Sequence, residues 1–314
     1  MVDKAVDIPI DQVTEIKTTI SLEEIIAKKY KKLGTIGTFE EGITYKAKTI
    51  ASGNFVTVKE YEENIEGIQQ HCLREIALLK QINHKNIVQL LDYSYTSEGS
   101  YMVFEYAEKN LETYIENFNG ALPLQTIKTI TKQLLEAVAY LHTHRILHRN
   151  IEPANVLICQ QQTVKLANFT YARQIAIPLR DYTYEVVAKW YKAPELLLGA
   201  KAYGTGIDMW AVGCVIAEMV NGKPLFQGNA LIEQVFMIFE LLGKPNEKTW
   251  EGVTHMQYWS DLLPNFSGTG VENICGKAGS DGVDLISKML VCDPSQRIEA
   301  KDALKHTFIK CFSE

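Results

Sequence analysis

The spacing of apolar residues divides the chain into a strand-forming part and a helix-forming part. From Lys32 to Tyr61, short alternating apolar segments are separated by glycines, which predicts antiparallel strands joined by tight turns. Residues 66–81 change to helical spacing with one apolar face, and strands are predicted again at 87–93 and 101–106.

Beyond position 110 the apolar spacing is mostly helical. The clear helical segments are 124–143, 208–221, 230–242, 282–291 and 299–305. A small, mostly antiparallel lobe followed by a larger helical lobe is an α+β arrangement. The sequence therefore predicts the α+β class.

Three segments depart from this pattern. Residues 1–20 are polar and weakly patterned, which predicts a partly ordered extension. Ser21 and Glu24 then form a capping-box pattern, which predicts a short helix ahead of the domain. Residues 255–280 are rich in Gly, Ser and Asn, and we expect an irregular insert there.

Composition narrows the class of protein. The chain has 314 residues, of which 46% are hydrophobic and 22% are charged, as in globular proteins of one large domain or two lobes. Its net charge of -6 argues against nucleic-acid binding, because phosphates need basic partners. The six cysteines are scattered, which favours a reduced chain in the cytoplasm or nucleus. No apolar run is long enough to span a bilayer, and the polar N-terminus argues against a signal peptide.

The motif that organises the chain lies at 148–158, where His-Arg-Asn-Ile-Glu-Pro-Ala-Asn is followed by Val-Leu-Ile. It resembles the catalytic loop of the protein kinase family, which has His-Arg-Asp, a short interval and then Asn. Asn150 stands where the family has the Asp that accepts the proton of the substrate hydroxyl, and an amide has no useful basicity. Glu152 stands where the family has a phosphate-directed Lys. The loop thus keeps the family's spacing and lacks its chemistry.

The resemblance runs from about Tyr30 to about Phe308, and the most similar branch is the cyclin-dependent kinases. Four further motifs occur in order and at family spacing: Leu-Arg-Glu-Ile at 73–76, Trp-Tyr-Lys-Ala-Pro-Glu at 190–195, Asp-Met-Trp at 208–210 and Asp-Pro-Ser-Gln-Arg at 293–297. This resemblance implies the two-lobed kinase fold. The implied parts are an extension with a short helix at 1–29, a small antiparallel lobe with one regulatory helix at 30–107, a large mainly helical lobe at 108–309 and a tail at 310–314.

The positions that hold the nucleotide in the family are partly kept. They are Gly37, Gly42, Thr57, Lys59, Glu75, Phe104, Glu105, Ala107, Asn155 and Leu157. Lys59 matches the Lys that pairs with the helix glutamate, here Glu75. Phe39 replaces the second glycine of the glycine-rich loop, and its benzyl group obstructs the approach of phosphates to backbone N–H groups. Thr44 and Thr57 add hydroxyls where the family presents an apolar face to adenine.

The metal ligands implied by the resemblance are Asn155 and Asn168, and Asn168 replaces the Asp of the family's Asp-Phe-Gly motif. A neutral amide is a poor substitute for that carboxylate, because magnesium prefers hard anionic oxygens. Thr170 replaces the glycine of the same motif, and Ala188 replaces the Thr that steadies the catalytic Asp and Lys. We therefore expect no magnesium and weak or absent ATP binding, and we predict no cofactor.

A regulatory site is also implied. Thr183 matches the threonine that an upstream kinase phosphorylates in relatives, where three arginines clasp the phosphate. The matching arginines are Arg74, Arg149 and Arg173.

These changes share one direction, away from phosphoryl transfer. The leading hypothesis is a catalytically inactive, cyclin-dependent-kinase-like pseudokinase that acts as a regulatory, protein-binding module. One alternative is a residually active or atypical ATP-dependent serine/threonine kinase, for which Glu152 is the nearby carboxylate. Another is a nucleotide sensor that binds ATP without hydrolysing it. We expect a protein partner, cyclin-like at helix 68–80, and neither nucleic acid nor membrane.

Overall fold

The computed structural model describes residues 21–39, 42–62, 70–96, 99–118, 120–175 and 189–310. Within these ranges the strands are β1 (Tyr30–Phe39), β2 (Gly42–Thr49), β3 (Phe55–Glu62), β4 (Leu90–Thr96), β5 (Gly99–Glu105), β6 (Lys109–Asn110), β7 (Ile146–Leu147), β8 (Val156–Ile158), β9 (Val164–Leu166) and β10 (Arg173–Gln174). The helices are α1 (Leu22–Lys29), α2 (Gln70–Leu79), α3 (Leu111–Asn117), α4 (Leu124–Thr143), α5 (Pro194–Leu197), α6 (Gly206–Asn221), α7 (Leu231–Leu242), α8 (Glu272–Cys275), α9 (Gly279–Met289), α10 (Ala300–Ala303) and α11 (Thr307–Lys310).

The chain forms two compact units. The small unit comprises Met1–Ile76 and Gln89–Tyr106, and the large unit comprises Ala77–Val88 and Ala107–Glu314. The predictions for residues 1–20 and for the chain beyond Lys310 lie outside the described residues.

The small unit is built on a five-stranded antiparallel sheet in the order β1-β2-β3-β5-β4. Helix α1 begins at Ser21, whose Oγ accepts a hydrogen bond from the Glu24 amide, as the capping-box pattern predicts. Its Leu22 and Ile26 are buried and belong to the core of this unit. The sheet residues of that core are Tyr30, Tyr45, Ala47, Val56, Val58, Tyr101 and Val103. The segment before the domain is thus part of the small unit's hydrophobic core.

A polar cluster also attaches α1 to the sheet. The Asp92 carboxylate on β4 accepts hydrogen bonds from the Lys29 ammonium at 2.9 Å and from the Tyr30 hydroxyl at 2.8 Å. Burial and the bond to Asp92 raise the pKa of Tyr30 above its ordinary value. The end of α1 is therefore held by apolar burial and by hydrogen bonds together.

The large unit is organised around α6, which is buried on nearly all sides. Trp210 on this helix stacks on Phe226 with ring centroids 6.0 Å apart, and α4 packs against the helix. Beside these helices lie the antiparallel pair β10-β7 and the three-stranded sheet β6-β8-β9. Strand β7 leads into the 148–155 loop and β8 leads out of it, so that two short strands fix both ends of the motif that organises the chain.

A buried ion pair closes the large unit. Arg297 donates from Nη1 to Glu195 Oε1 at 2.7 Å and from Nη2 to Glu195 Oε2 at 2.6 Å. Arg297 also donates to three backbone carbonyls, those of Gly206, Val291 and Cys292. A buried guanidinium with all these acceptors explains why both charges persist in an apolar surrounding.

The structure confirms the predicted α+β class, with an antiparallel small lobe and a helical large lobe. Helix α4 has the predicted bounds. The strand predicted at 87–93 begins later, at Leu90, because Ile87 forms an isolated parallel bridge with Leu166 instead. The insert predicted as irregular contains short helical turns at Glu272–Cys275 and Gly276–Ala278. Among the described helices, none has both the length and the apolarity needed to cross a bilayer.

Candidate active site

The backbone of the 148–155 loop is held by a buried carboxylate. Asp208, in the first turn of α6, accepts hydrogen bonds from the amides of His148 at 3.0 Å and Arg149 at 2.8 Å, and it contacts His142 Nε2 at 3.0 Å. Although burial favours the neutral acid, the hydrogen bond and charge of His142 lower the pKa of Asp208. The start of the loop is thus positioned by an anion that is distinct from any catalytic group.

His148 connects the loop to the segment that follows β9. Its Nε2 contacts the Ala167 carbonyl at 3.0 Å, and its Nδ1 accepts a hydrogen bond from the backbone N–H of Asn150 at 3.3 Å. The imidazole also packs edge-on against Phe169, with ring centroids 4.8 Å apart. Arg149 and Asn168 both have positive φ, at 69° and 64°, a conformation that is uncommon for arginine and better tolerated by asparagine.

The residues at the two implied metal positions bind each other. Asn168 Nδ2 donates to Asn155 Oδ1 at 3.1 Å, and Thr170 Oγ1 donates to Asn168 Oδ1 at 2.8 Å. Asn155 Nδ2 in turn donates to the Asn150 carbonyl at 3.0 Å. Each of the two amide oxygens that would face a cation already accepts a hydrogen bond, and neither is anionic. This donor set does not fit magnesium.

Glu152 is drawn into the same network. Its Oε1 accepts from Asn155 Nδ2 at 2.9 Å. Burial, reinforced by the charge of Glu112, raises the pKa of Glu152 to about 7, although hydrogen bonds from Asn155 and Asn150 oppose the shift. The position where the family has a lysine is therefore occupied by an acid, Glu152, whose pKa lies near neutral pH.

Lys59 of the small unit forms the ion pair predicted from the sequence. Its Nζ lies 3.4 Å from Glu75 Oε2, and the carboxylate of Glu75 is almost fully buried. The Tyr61 hydroxyl donates to the same Glu75 oxygen at 3.2 Å. The carboxylate that orients Lys59 is thus shared with a second donor.

Phe39 packs over the lysine. The Lys59 ammonium lies 5.2 Å from the centroid of the Phe39 ring and 5.0 Å from that of Tyr61, within the range of cation–π attraction. The two rings meet edge to face at 5.1 Å. The ring that replaces the second glycine therefore covers the ammonium on which phosphate binding depends in the family.

The remaining nucleotide positions lie on strands of the small unit and at two places in the large unit. Thr44 pairs with Lys59 and Thr57 pairs with Phe104 in the sheet register. Glu105 accepts from the Gln89 amide at 2.8 Å. Ala107 is half-buried, and so is Leu157 on β8.

Gly37 and Gly42 differ in what they require. A Cβ at Gly37 would meet nothing within 4 Å, whereas a Cβ at Gly42 would lie 1.9 Å from the Glu60 carbonyl oxygen. Close packing of β2 on β3 is therefore a sufficient reason for glycine at position 42.

Of the implied regulatory residues, Arg149 and Arg173 belong to the large unit and Arg74 to α2 of the small unit. Arg149 lies over the ring of Tyr203 at 5.7 Å, and Arg173 donates to the carbonyls of Thr170 and Ala172. The predictions for Thr183 and Ala188 lie outside the described residues.

The sequence did not predict the part that Tyr61, Thr170 and Glu112 take in these interactions. Tyr61 is two positions beyond Lys59 on the same strand, so the period of two could have placed it on the same face as the lysine. The sequence shows that Thr170 replaces a glycine, but it does not indicate the hydrogen bond that the Thr170 hydroxyl donates to Asn168. Glu112 is distant in sequence from Glu152, and no local pattern indicates that its charge acts on that residue.

Comparison with protein-family models matches this chain to the protein kinase domain over residues 30–309. The match covers most of the chain, and the small antiparallel lobe, the helical lobe and the 148–158 loop are all within it. The chain belongs to the protein kinase family.

Proposed function

We propose that this protein is a catalytically inactive kinase of the cyclin-dependent-kinase-like branch and that it acts by binding a protein partner. The branch rests on the ordered motifs at 73–76, 190–195, 208–210 and 293–297. The proposed loss of catalysis is supported by contacts in the large unit, and the proposed weak nucleotide binding is supported by contacts in the small unit.

One contact carries the proposal, the hydrogen bond between Asn168 Nδ2 and Asn155 Oδ1. Phosphoryl transfer depends on metal ions that neutralise the charge developing on the phosphates. Here the two residues that would supply metal-binding oxygens bind each other, and the Thr170 hydroxyl occupies the remaining amide oxygen. With Asn150 in place of the base, a further factor of about 10² to 10⁴ in rate is absent.

The small unit supports weak nucleotide binding. Phosphates would have to displace the Phe39 ring from Lys59 and then compete with Glu75 for the ammonium. The fold elements around Lys59 are nevertheless intact, so a folded small lobe remains available to a partner. This combination favours a protein-binding module over a nucleotide sensor.

The rival function is residual kinase activity with Glu152 as the base. A pKa of about 7 suits a general base. However, Glu152 Oε1 already accepts a hydrogen bond from Asn155. Phosphoryl transfer also needs a bound metal ion, and Asn155 and Asn168 bind each other instead of offering ligands to one. The rival is therefore less favoured.

The test is a phosphoryl-transfer assay with purified protein, magnesium, labelled ATP and generic serine/threonine substrates. We expect no transfer above a mock preparation, and none from Asn150→Asp combined with Asn168→Asp, because Glu152 and Phe39 remain. The Asn155→Ala variant separates intrinsic activity from contamination. Transfer that is present in the wild type and absent from Asn155→Ala would refute the proposal.

A further inference from the structure

One face of the small unit's sheet carries a row of lysines beside an aromatic ring. Lys31 on β1 lies directly opposite Lys48 on β2, and Lys48 lies directly opposite Phe55 on β3. Residues directly opposite each other share a face, so these three side chains form one row across the three strands. Lys46 is two residues before Lys48 on β2 and therefore lies on the same face.

Lys46 holds two aromatic rings together on this surface. Its ammonium lies 4.2 Å from the centroid of the Phe55 ring and 4.1 Å from that of Tyr106, within the range of cation–π attraction to both. The two ring centroids are 6.0 Å apart, and the Lys48 ammonium lies 6.0 Å from that of Phe55. All five residues belong to the small unit. We name Lys31, Lys46, Lys48, Phe55 and Tyr106 the basic-aromatic face.

The opposite face of the same strands is the hydrophobic core. Tyr45 and Ala47 flank Lys46 on β2 and are buried together with α1. Two carboxylates of the sheet also lie on the core side, since Glu60 is four residues after the core residue Val56 on β3 and Glu105 pairs directly with Val56 on β5. The register thus separates these acids from the basic-aromatic face.

The basic-aromatic face has an excess of positive charge. Within the part of the chain that the structure describes, no ion pair joins Lys31, Lys46 or Lys48 to a carboxylate. Like charges directly opposite each other destabilise a sheet, so Lys31 and Lys48 repel across β1 and β2. Both lysines are exposed and Phe55 is 50% exposed, so an anion from outside the chain can reach them.

The size of the face favours a short acidic peptide. The side chains of a directly opposite pair begin about 5 Å apart, so the two oxygens of one carboxylate can reach both ammonium groups. The exposed Phe55 ring offers an apolar contact to a neighbouring aromatic side chain. Nucleic-acid binding is less favoured, because it depends on many phosphate contacts and three lysines act here within a chain of net charge -6.

We propose that the basic-aromatic face binds an acidic segment of a partner protein, with a carboxylate between Lys31 and Lys48 and an aromatic side chain against Phe55. Four residues of β3 separate Phe55 from Lys59, which is about 13 Å along the strand, so this surface is distinct from the lysine that pairs with Glu75. The inference rests on the protein-binding role in the proposed function, and it adds the chemistry of the partner.

The test uses the full chain and a fluorescently labelled peptide of Glu and Ser with one central Trp, with binding followed by anisotropy. The comparison peptide has Gln, a neutral isostere, in place of each Glu. At physiological ionic strength we expect the Glu peptide to bind at least about tenfold more tightly, and its affinity should fall as salt screens the exposed charges. Lys31→Gln and Lys48→Gln should each weaken its binding by about threefold.

The matched control is Lys32→Gln. Lys32 follows Lys31 on β1 and is exposed, but its ammonium lies on the core side, 4.3 Å from the centroid of the Tyr45 ring. This variant removes an equal charge from the same strand and should leave the affinity unchanged. Melting temperatures establish that the variants are folded, and Lys48→Gln should melt no lower than the wild type because it removes a repulsion.

The aromatic contact is tested separately. Phe55→Ala should weaken binding of the Trp peptide by about fivefold and leave unchanged the binding of a Glu peptide with Ala in place of Trp. Equal weakening of both peptides would show that Phe55 does not contact the aromatic side chain and would overturn that part of the inference.

Equal affinities for the Glu and Gln peptides, or equal losses in Lys32→Gln and Lys48→Gln, would overturn the inference. Tighter binding of single-stranded oligothymidine that is lost in the same lysine variants would also overturn it, since the face would then recognise nucleic acid. Phosphate transfer to a substrate would instead refute the proposed loss of catalysis, so the two failures are distinguishable.

Discussion

At the scale of single residues, the nitrogen of the Asn168 side chain gives a hydrogen-bond donor to a position where the family has a metal-binding carboxylate. A carboxylate at position 168 would be an acceptor on both oxygens, whereas the Asn168 amide has an NH₂ group in place of one oxygen, and this group donates to Asn155 Oδ1. The amide therefore does more than weaken a ligand, because it turns two ligand positions into partners of each other. Thr170 completes the arrangement from the neighbouring glycine position.

Phe39→Gly should improve nucleotide binding. Removing the ring uncovers Lys59 and restores the glycine spacing of the loop. A ligand that binds only the folded state raises the melting temperature, and about 1 kcal/mol corresponds to roughly 2–4 °C for a chain of this size. We expect ATP at millimolar concentration to raise the melting temperature of this variant by about 2 °C or more, with no added effect of magnesium.

The control is Phe55→Ala, which removes a half-exposed ring from the same sheet. An ATP shift in the wild type as large as in Phe39→Gly would show that the ring does not obstruct phosphates.

Glu152→Gln should change stability in a pH-dependent way. Folding raises the pKa of Glu152 from 4.5 to about 7, so its protonation stabilises the folded state. This contribution is complete below pH 4.5 and is lost as the pH rises through about 7. The permanently neutral glutamine should therefore be more stable than the wild type at pH 8, with the difference much smaller at pH 5 and absent below pH 4.5.

Thermal melts at both pH values check this, and the matched control is Glu251→Gln, which removes an equal charge from an exposed site of the large unit. A melting difference of equal size at pH 5 and pH 8 would contradict a titrating Glu152.

At the scale of elements, stability of the large unit depends on a pair that joins α5 to the segment before α10. Arg297 and Glu195 are bidentate and buried, so removing one partner leaves an uncompensated charge. Arg297→Met should lower the free energy of unfolding by about 3–5 kcal/mol. Denaturant unfolding measures the loss.

Lys305→Met serves as the control, because its pair with Asp302 is exposed and should contribute no more than about 1 kcal/mol. If both variants lost the same free energy of unfolding, burial would not be the reason that the Arg297–Glu195 pair matters for stability.

At the scale of the whole molecule, phosphorylation is expected to regulate partner binding without activating catalysis. A phosphate at Thr183 would carry about -1.5 to -2 charge and would give the arginine cluster implied by the family a charge-assisted partner. We predict that the phosphorylated protein differs from Thr183→Ala in partner affinity and in hydrogen exchange over 168–195. Phosphoryl transfer should be absent from both.

Matched preparations with and without phosphate at Thr183 provide the comparison. Identical exchange and identical affinity would show that Arg74, Arg149 and Arg173 have no such role.

The sequence alone was sufficient for the class of fold and for the identity of the altered positions. Apolar spacing is a local property, so α4 appears with its predicted bounds and α1 begins at its predicted cap. Asn150, Asn168 and Phe39 can be identified as substitutions from the sequence, because each lies at a fixed spacing from the residues of its motif that match the family.

What the substituted side chains do was decided only by the tertiary structure. The hydrogen bond of Asn168 to Asn155 and the Phe39 ring over Lys59 join residues that are far apart in the chain. Such contacts depend on how strands and helices pack, and local propensity carries no information about them. The sequence therefore determined which residues occupy the family's catalytic positions, whereas the packing determined which contacts those residues make.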